Sequence, residues 1–392
     1  MQEFVDIGRG RVARRVYGLD QVDIVPSRRT RSSHDVDTTW KIDAYDFDIP
    51  VMAHPTDAVV TPEFAIEFGK LGGLPVINAE GLWGRAADLD AALREVAEAA
   101  RRSLFGEVSS SDASSAATAP FTVDSGEANQ VLQRLHAQPL DQDLLLERLS
   151  LVRDSGVRFA VRVSPQHAAD LAPVLIKSGL DMLVIQGTLV SAEHVHRDGE
   201  PLNLKEFICS LDVPVIAGGV VDYTTAMHMM RTGAAGVIVG SGDTTNTASL
   251  GIDVPMATAI ADAAAARRDY LDETGGRYVH VIADSELLTS GQVAKAIACG
   301  ADAVALGAPL SAAESAGAPE WYWPAVAGHP KAPRGEVSYT GDYGTLPLEE
   351  LLFGPTANPY GVQNIVGALR RSMAKCGYTD LKSFQKVDLV VR

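Results

Sequence analysis

Short runs of apolar, mostly β-branched residues recur along the chain, each bounded by Gly, Pro, Asn or Asp and each followed by a stretch with helical spacing. Eight such runs are visible: Ile49 to Ala53, Pro75 to Asn78, Phe159 to Val163, Met182 to Ile185, Val213 to Ala217, Val237 to Val239, Val279 to Ala283 and Ala303 to Leu306. They read as apolar throughout rather than alternating, the pattern of parallel strands buried on both faces. Between them, Pro62 to Leu71 has Pro near its start and Gly72-Gly73 behind it, Gln166 to Lys177 stops at Gly179, and Tyr223 to Arg231 stops at Gly233, which predicts helices. Eight strands each followed by a helix predict one α/β domain over residues 1–392, a (β/α)8 TIM barrel with N-terminal and C-terminal extensions. A doubly wound sheet is the alternative.

Three segments break the repeat. The run from Ser109 to Thr122 is small, polar and of low complexity, so a flexible Ser/Ala-rich insertion is expected over 105–140, between strands two and three. A loop rich in Gly, Ser, Thr and Asn follows strand six, from Ser241 to Asp253. After Ser311 comes an irregular, flap-like excursion over 311–360, with Trp321, Tyr322 and Trp323, ahead of a closing helix near Val362 to Lys375. Long excursions of this kind on barrels usually build or cover the site.

Composition narrows the function classes. With 34 Lys plus Arg against 50 Asp plus Glu, the net charge of −16 argues against nucleic acid as the main partner. No apolar stretch approaches the roughly 18 residues of a membrane span, and the N-terminus lacks a basic start with an apolar run, so a cytoplasmic protein is expected. Cys209, Cys299 and Cys376 are odd in number and far apart, which fits a reducing compartment rather than a disulfide framework. Among His167, His194, His196, His228 and His329 the only metal-like spacing is His194-x-His196, too weak to predict a zinc site.

In a TIM barrel the chemistry lies just after the C-terminal strand ends. That nominates His54, Thr56 and Asp57 after strand one, Asn78 and Glu80 after two, Ser164 after three and Gln186 after four. The ring continues with Gly218-Gly219, then Gly240-Ser241-Gly242-Asp243, Asp284, and Gly307-Ala308. The glycines would let backbone amides approach a phosphate, although Gly at such turns is also common for steric reasons alone. Asp284 is placed to accept from a ligand's vicinal hydroxyls, the other reading being a cap for the helix near Ser290. His54 offers a general base or phosphate ligand, and Gln186 an amide.

The residues also carry a resemblance. Ile-Pro-Val-Met-Ala-His-Pro-Thr-Asp at 49–57, Val-Pro-Val-Ile-Ala-Gly-Gly at 213–219, Arg-Thr-Gly-Ala-Ala-Gly-Val-Ile-Val-Gly at 231–240 and Ser-Gly-Gln-Val-Ala-Lys-Ala-Ile-Ala-Cys-Gly-Ala-Asp-Ala-Val at 290–304 are similar to the IMP dehydrogenase and GMP reductase superfamily. The chain resembles in particular the short bacterial IMP dehydrogenase-related branch without CBS domains. The resemblance implies NAD-dependent oxidation of IMP to XMP in guanine nucleotide synthesis, a purine mononucleotide as ligand, and a homotetramer. NAD is the implied cofactor, with a monovalent cation the second candidate. The implied nucleotide contacts are His54, Thr56, Gly242, Asp284, Ser285, Glu286, Gly307 and Ala308, and the implied cofactor contacts are Gln186 and Gly187.

The family's chemistry needs a cysteine in the loop after strand six, which attacks purine C2, and an Arg-Tyr pair on a mobile flap, which activates water. Counting forward from Gly240 places Thr247 at the cysteine's position, and counting back from Pro255 places Thr244 there; neither is a cysteine. No Arg-Tyr pair occurs between Tyr339 and Gly361, and the family's Asp-Gly-Gly after strand seven is Asp284-Ser285-Glu286. Two functions therefore follow from the resemblance: an IMP dehydrogenase-related oxidoreductase that has lost these groups, or an inactive nucleotide-binding or regulatory paralogue.

Overall fold

The computed structural model describes residues 3–105, 122–124, 126–192, 202–240, 250–285, 287–325 and 337–392. Eight parallel strands form its centre: β1 (Val51–Ala53), β2 (Val76–Asn78), β3 (Ala160–Val163), β4 (Met182–Gln186), β5 (Val215–Val220), β6 (Gly236–Val239), β7 (His280–Ala283) and β8 (Ala303–Leu306). Their order is β1-β8-β7-β6-β5-β4-β3-β2. The ring closes through Leu74, whose N–H donates to Val51 O at 3.0 Å and whose carbonyl accepts from Ala53 N at 2.9 Å. This is the expected TIM barrel, and all eight expected runs are strands of it.

The helices between strands have ordinary local causes. Pro62–Lys70 begins with Pro in its first turn under a Thr61 cap, and Tyr223–Met230 begins under Asp222, whose side chain accepts from Thr225 N. These elements pack onto one core that fully buries Trp83, Phe64, Phe68 and Phe159. Because the helices run back against the strands, their C-terminal ends lie at the bottom of the barrel, opposite the mouth.

Three expectations change. The strand expected over Val213 to Ala217 starts after Pro214, which has no N–H to give the ladder, and runs on to Val220. Gly218 and Gly219 thus lie inside β5 rather than after it. A Cβ on Gly219 would meet Gly240 O at 2.2 Å, so close strand packing accounts for the glycine without a phosphate. Within 105–140, Glu127–His136 is a helix with Ala128 and Leu132 buried; its amphipathic spacing lies outside the Ser/Ala run and was masked by it.

The excursion over 311–360 carries a short strand, Trp321–Tyr322, paired antiparallel with Val337–Tyr339, which pairs in turn with Thr122–Asp124. Outside the barrel, Phe4–Gly8 and Arg11–Arg14 form a hairpin, and Val22–Val25 pairs with Asp388–Val391.

Candidate functional site

Residues from three separate strand ends meet at the mouth. His54 follows β1 and is anchored by its own N–H to Leu306 O on β8, at 2.8 Å. Gln186 is the last residue of β4 and Asp284 follows β7. Gln186 Nε2 donates to Asp284 Oδ2 at 2.5 Å, while His54 Nδ1 lies 3.1 Å from Asp284 Oδ1. All three side chains are enclosed, at 0%, 3% and 1% exposure for Gln186, Asp284 and His54. The helix Ser290–Cys299 is capped by Thr289, which accepts from Gln292 N, so Asp284 serves the mouth and not that helix.

A second polar group adjoins the first. Arg162 on β3 points into the barrel, donating to Asn78 Oδ1 at 3.3 Å, to Glu80 Oε2 at 3.1 Å and to Gln186 O at 2.6 Å. Burial alone would raise the Glu80 carboxyl, but the Arg162 guanidinium and hydrogen bonds from His167 and Ser164 hold it below the ordinary carboxylate range. Around these two groups, His54 Nε2, Asn78 Nδ2, Arg162 Nε, Gln186 Oε1 and Trp323 Nε1 are buried without a hydrogen-bond partner among the described residues.

The segment from Trp321 to Trp323 crosses the mouth. Thr56 Oγ1 donates to the Trp323 carbonyl, and the Tyr322 ring lies so close to Gly307 that a Cβ there would meet it at 2.7 Å. Several nominated residues are therefore engaged within the protein. The Thr56 hydroxyl is taken by Trp323, and Gly307 lies beneath Tyr322. Ala308 opens the turn Ala308–Ala312, with its carbonyl accepting from Ser311 Oγ at 2.7 Å. Gly187 N donates to Gly218 O at 2.9 Å and its carbonyl accepts from Gly219 N at 3.1 Å. Ser285 packs against Gly240, which sits at a φ of 93° that a glycine adopts readily. Thr244, Thr247, Gly242 and Glu286, like His194 and His196, lie outside the described residues.

Two members of the site escaped the sequence reading. Arg162 sits inside a run that reads as apolar, and a charge in the middle of a strand buried on both faces is the available signal. Trp323 carried no signal beyond its place in a long excursion.

The three cysteines lie elsewhere. Cys209 ends the helix Leu204–Cys209 before β5, and Cys299 ends Ser290–Cys299 before β8, which puts both at the bottom of the barrel. Cys376 follows Ile365–Lys375, and the chain from there leads to Lys382, whose ammonium meets Asp302 at the foot of β8. Burial pushes the Cys299 thiol up to about 11 and raises Cys376 as well.

A family model described as the IMP dehydrogenase / GMP reductase domain matches residues 16–341. The chain belongs to that family. It is 59% identical over 391 residues to an uncharacterized oxidoreductase of Mycobacterium tuberculosis, with 99% of each chain covered. A crystal structure of an IMP dehydrogenase/GMP reductase-like protein from Corynebacterium glutamicum is 60% identical with a TM-score of 0.89, covering 99% of this chain and 98% of that one. The inosine-5'-monophosphate dehydrogenase of Haemophilus influenzae matches over a shorter stretch, 36% identical across 146 residues. The family relationship fits the barrel, and it puts the interest on the end of the barrel where His54, Gln186 and Asp284 meet. No helix among the described residues is long and apolar enough to cross a membrane.

Proposed function

We propose that this family member binds a purine mononucleotide at the mouth of its barrel and does not oxidise it by thiolate chemistry. The observation that carries the reading is the set of buried polar atoms on His54, Asn78, Arg162, Gln186 and Trp323 that have no partner among the described residues. Each such atom costs roughly 1–3 kcal/mol in the folded chain, and a ligand with both donors and acceptors offsets that cost on binding. A purine nucleotide has both along its base edge and its ribose.

Turnover through a covalent purine adduct needs a thiolate at the mouth. All three cysteines belong to helix ends at the other end of the barrel, and burial keeps Cys299 and Cys376 protonated at neutral pH. Of the two residues assigned to the nicotinamide, Gly187 has both backbone groups paired with β5, and Gln186, whose amide nitrogen is on Asp284, has only its Oε1 left to offer. NAD-dependent oxidation of IMP to XMP is the second reading, favoured by the oxidoreductase names of the mycobacterial relatives. A homotetramer, a cytoplasmic location and a place in guanine nucleotide synthesis go with membership of the family under either reading.

The test is thermal unfolding of the purified protein against IMP, XMP, GMP and NAD, with NADH absorbance followed for IMP plus NAD. A ligand that binds only the folded chain raises the midpoint. A rise with a purine mononucleotide and no NADH is the expected result. NADH formation at an ordinary enzymic rate supports the second reading, and no shift with any nucleotide removes the first.

A further inference from the structure

The strand Asp388–Val391 is an edge that the fold leaves open. It pairs antiparallel with Val22–Val25 in a sheet of two strands, Asp388 opposite Val25 and Val391 opposite Val22. Arg392 N donates to Gln21 O at 3.0 Å, which makes those two a hydrogen-bonded pair. Bonded and non-bonded pairs alternate along an antiparallel ladder. Val390 and Asp388 therefore turn their backbone groups to Val22–Val25, while Leu389 and Val391 turn theirs outward. No other strand among the described residues takes up that edge. The side chains are open too, with Leu389, Val390 and Val391 at 38%, 48% and 52% exposure.

Exposed edges are usually blunted by a bulge, a proline, a charge or a cover. The hairpin of Phe4–Gly8 with Arg11–Arg14 has a bulge between Asp6 and Gly8 and an arginine at each end of its second strand. The run Leu389-Val390-Val391 is apolar, exposed and regular in register.

We propose that this strand pairs antiparallel with the same strand of a second copy of the chain, across a two-fold axis at Val390, to give one continuous four-stranded sheet. The segment is complementary to itself in that register. The outward backbone groups of Leu389 meet those of Val391 in the second copy, and the reverse, so two bonded pairs form across the axis. Leu389 and Val391 share the face of Ile24 and Val22, which pack on the core, and the second copy extends that apolar face. On the other face Val390 meets Val390, and each Asp388 lies opposite the other copy's Arg392. Asp388 has no ion pair among the described residues, and Arg392, held on Asp23 through Nε and Nη2, is 65% exposed. A slide of two residues preserves the bonding pattern but separates Asp388 from Arg392. A net charge of −16 repels a second copy in general, so a contact forms where opposite charges cross-match, as they do here. The contact is independent of what binds at the mouth, and it joins chains two by two.

Disulfide capture tests the register. In a non-bonded antiparallel pair the Cα atoms are about 4.5 Å apart, within reach of a disulfide, whereas Leu389 and its own copy would lie roughly 8 Å apart, beyond it. In a chain whose exposed Cys209 is replaced by Ser, Val390→Cys treated with oxidised glutathione is expected to give a covalent dimer about tenfold more readily than Leu389→Cys. Equal capture by the two variants, or none by Val390→Cys, overturns the proposal. Sedimentation of the full chain over a range of concentrations gives a second readout. Leu389→Pro removes an outward N–H that the chain's own sheet does not use, and is expected to halve the number of chains per particle where the wild type pairs. Asp388→Arg turns two attractions into repulsions and is expected to weaken the pairing about tenfold, which covers the case in which the proline variant does not fold. A particle size that Asp388→Arg leaves unchanged at every concentration overturns the proposal.

Discussion

The two ends of the barrel bury a similar kind of carboxylate and treat it differently. At the bottom, Asp302 accepts from Arg267 Nη1 at 2.6 Å, Lys382 Nζ at 2.5 Å, Tyr278 Oη at 2.8 Å, Gln385 Nε2 at 3.0 Å and Val281 N at 2.9 Å. Burial alone would raise this carboxyl, but Arg267 and Lys382 drive it well below the ordinary range. A cavity of about 380 Å³ lies there, between Trp40, Tyr278, His280 and Leu381, and none of the buried side-chain polar atoms lining it lacks a partner. At the mouth, Asp284 has two side-chain partners among the described residues, and each of these leaves its other polar atom without a described partner. A network satisfied throughout holds strands and helices together, whereas the unpaired atoms at the mouth are those the proposed ligand would pair. The general division of this fold, stability at the bottom and chemistry at the top, is thus visible in the hydrogen bonds themselves.

The sharpest way to break the contrast is at the bottom. Asp302→Ala strands the buried Arg267 guanidinium and takes the carboxylate from the more exposed Lys382, and is expected to cost about 3–5 kcal/mol in denaturant unfolding, with nucleotide affinity of the folded fraction unchanged. Loss of affinity in that variant would join the two ends and end the contrast. Next in size is pH. Burial lowers His280 from 6.5 to about 4, consistent with Trp40 Nε1 donating to its bare Nδ1 at 3.3 Å. A histidine depressed in the folded state favours folding while it stays neutral. Its contribution is complete above about 6.5 and falls as pH drops towards about 4, by on the order of 3 kcal/mol in total. His280→Gln should flatten unfolding free energy over that window, and an unchanged slope would assign the dependence to other groups.

At the mouth the expected stability changes are smaller and the binding changes larger. Trp323→Phe removes an indole N–H that has no partner among the described residues, so relief of its desolvation offsets lost packing and unfolding should change by less than about 1.5 kcal/mol. A loss of several kcal/mol would mean that the N–H is paired in the folded chain. The smallest effect is expected from Thr247→Cys. It puts a thiol in the loop after β6 but supplies neither the flap pair nor the nicotinamide contacts, so NADH formation from IMP should stay at background. Measurable turnover would place Thr247 at the family's nucleophile position.

Much of the barrel was legible because its strands declare themselves. Runs such as Met182 to Ile185 and Ala303 to Leu306 are apolar on both faces and bounded by breakers, and strand ends then follow by counting. The same counting placed His54, Gln186 and Asp284 in one ring without showing that they touch. It left Gly218-Gly219 and Gly307 open between a phosphate and steric demand, and the structure has close backbone and Tyr322 contacts there. Arg162 was lost because a strand was judged by its majority, and the Glu127–His136 helix because a neighbouring low-complexity run dominated its surroundings.

Local pattern determined the strands, most helix ends, the family and the absence of a cysteine in the loop after strand six, since each depends on residues near one another in the chain. Tertiary structure alone decided that the Asp284 carboxylate is shared by His54 and Gln186, residues separated from it by 230 and 98 positions, and that Arg162 meets Asn78 and Glu80 from the neighbouring strand β2. Hydrogen bonds of that span depend on where the closed sheet brings strand ends together, and which end of an amide or imidazole faces outward depends on the partner that holds the other.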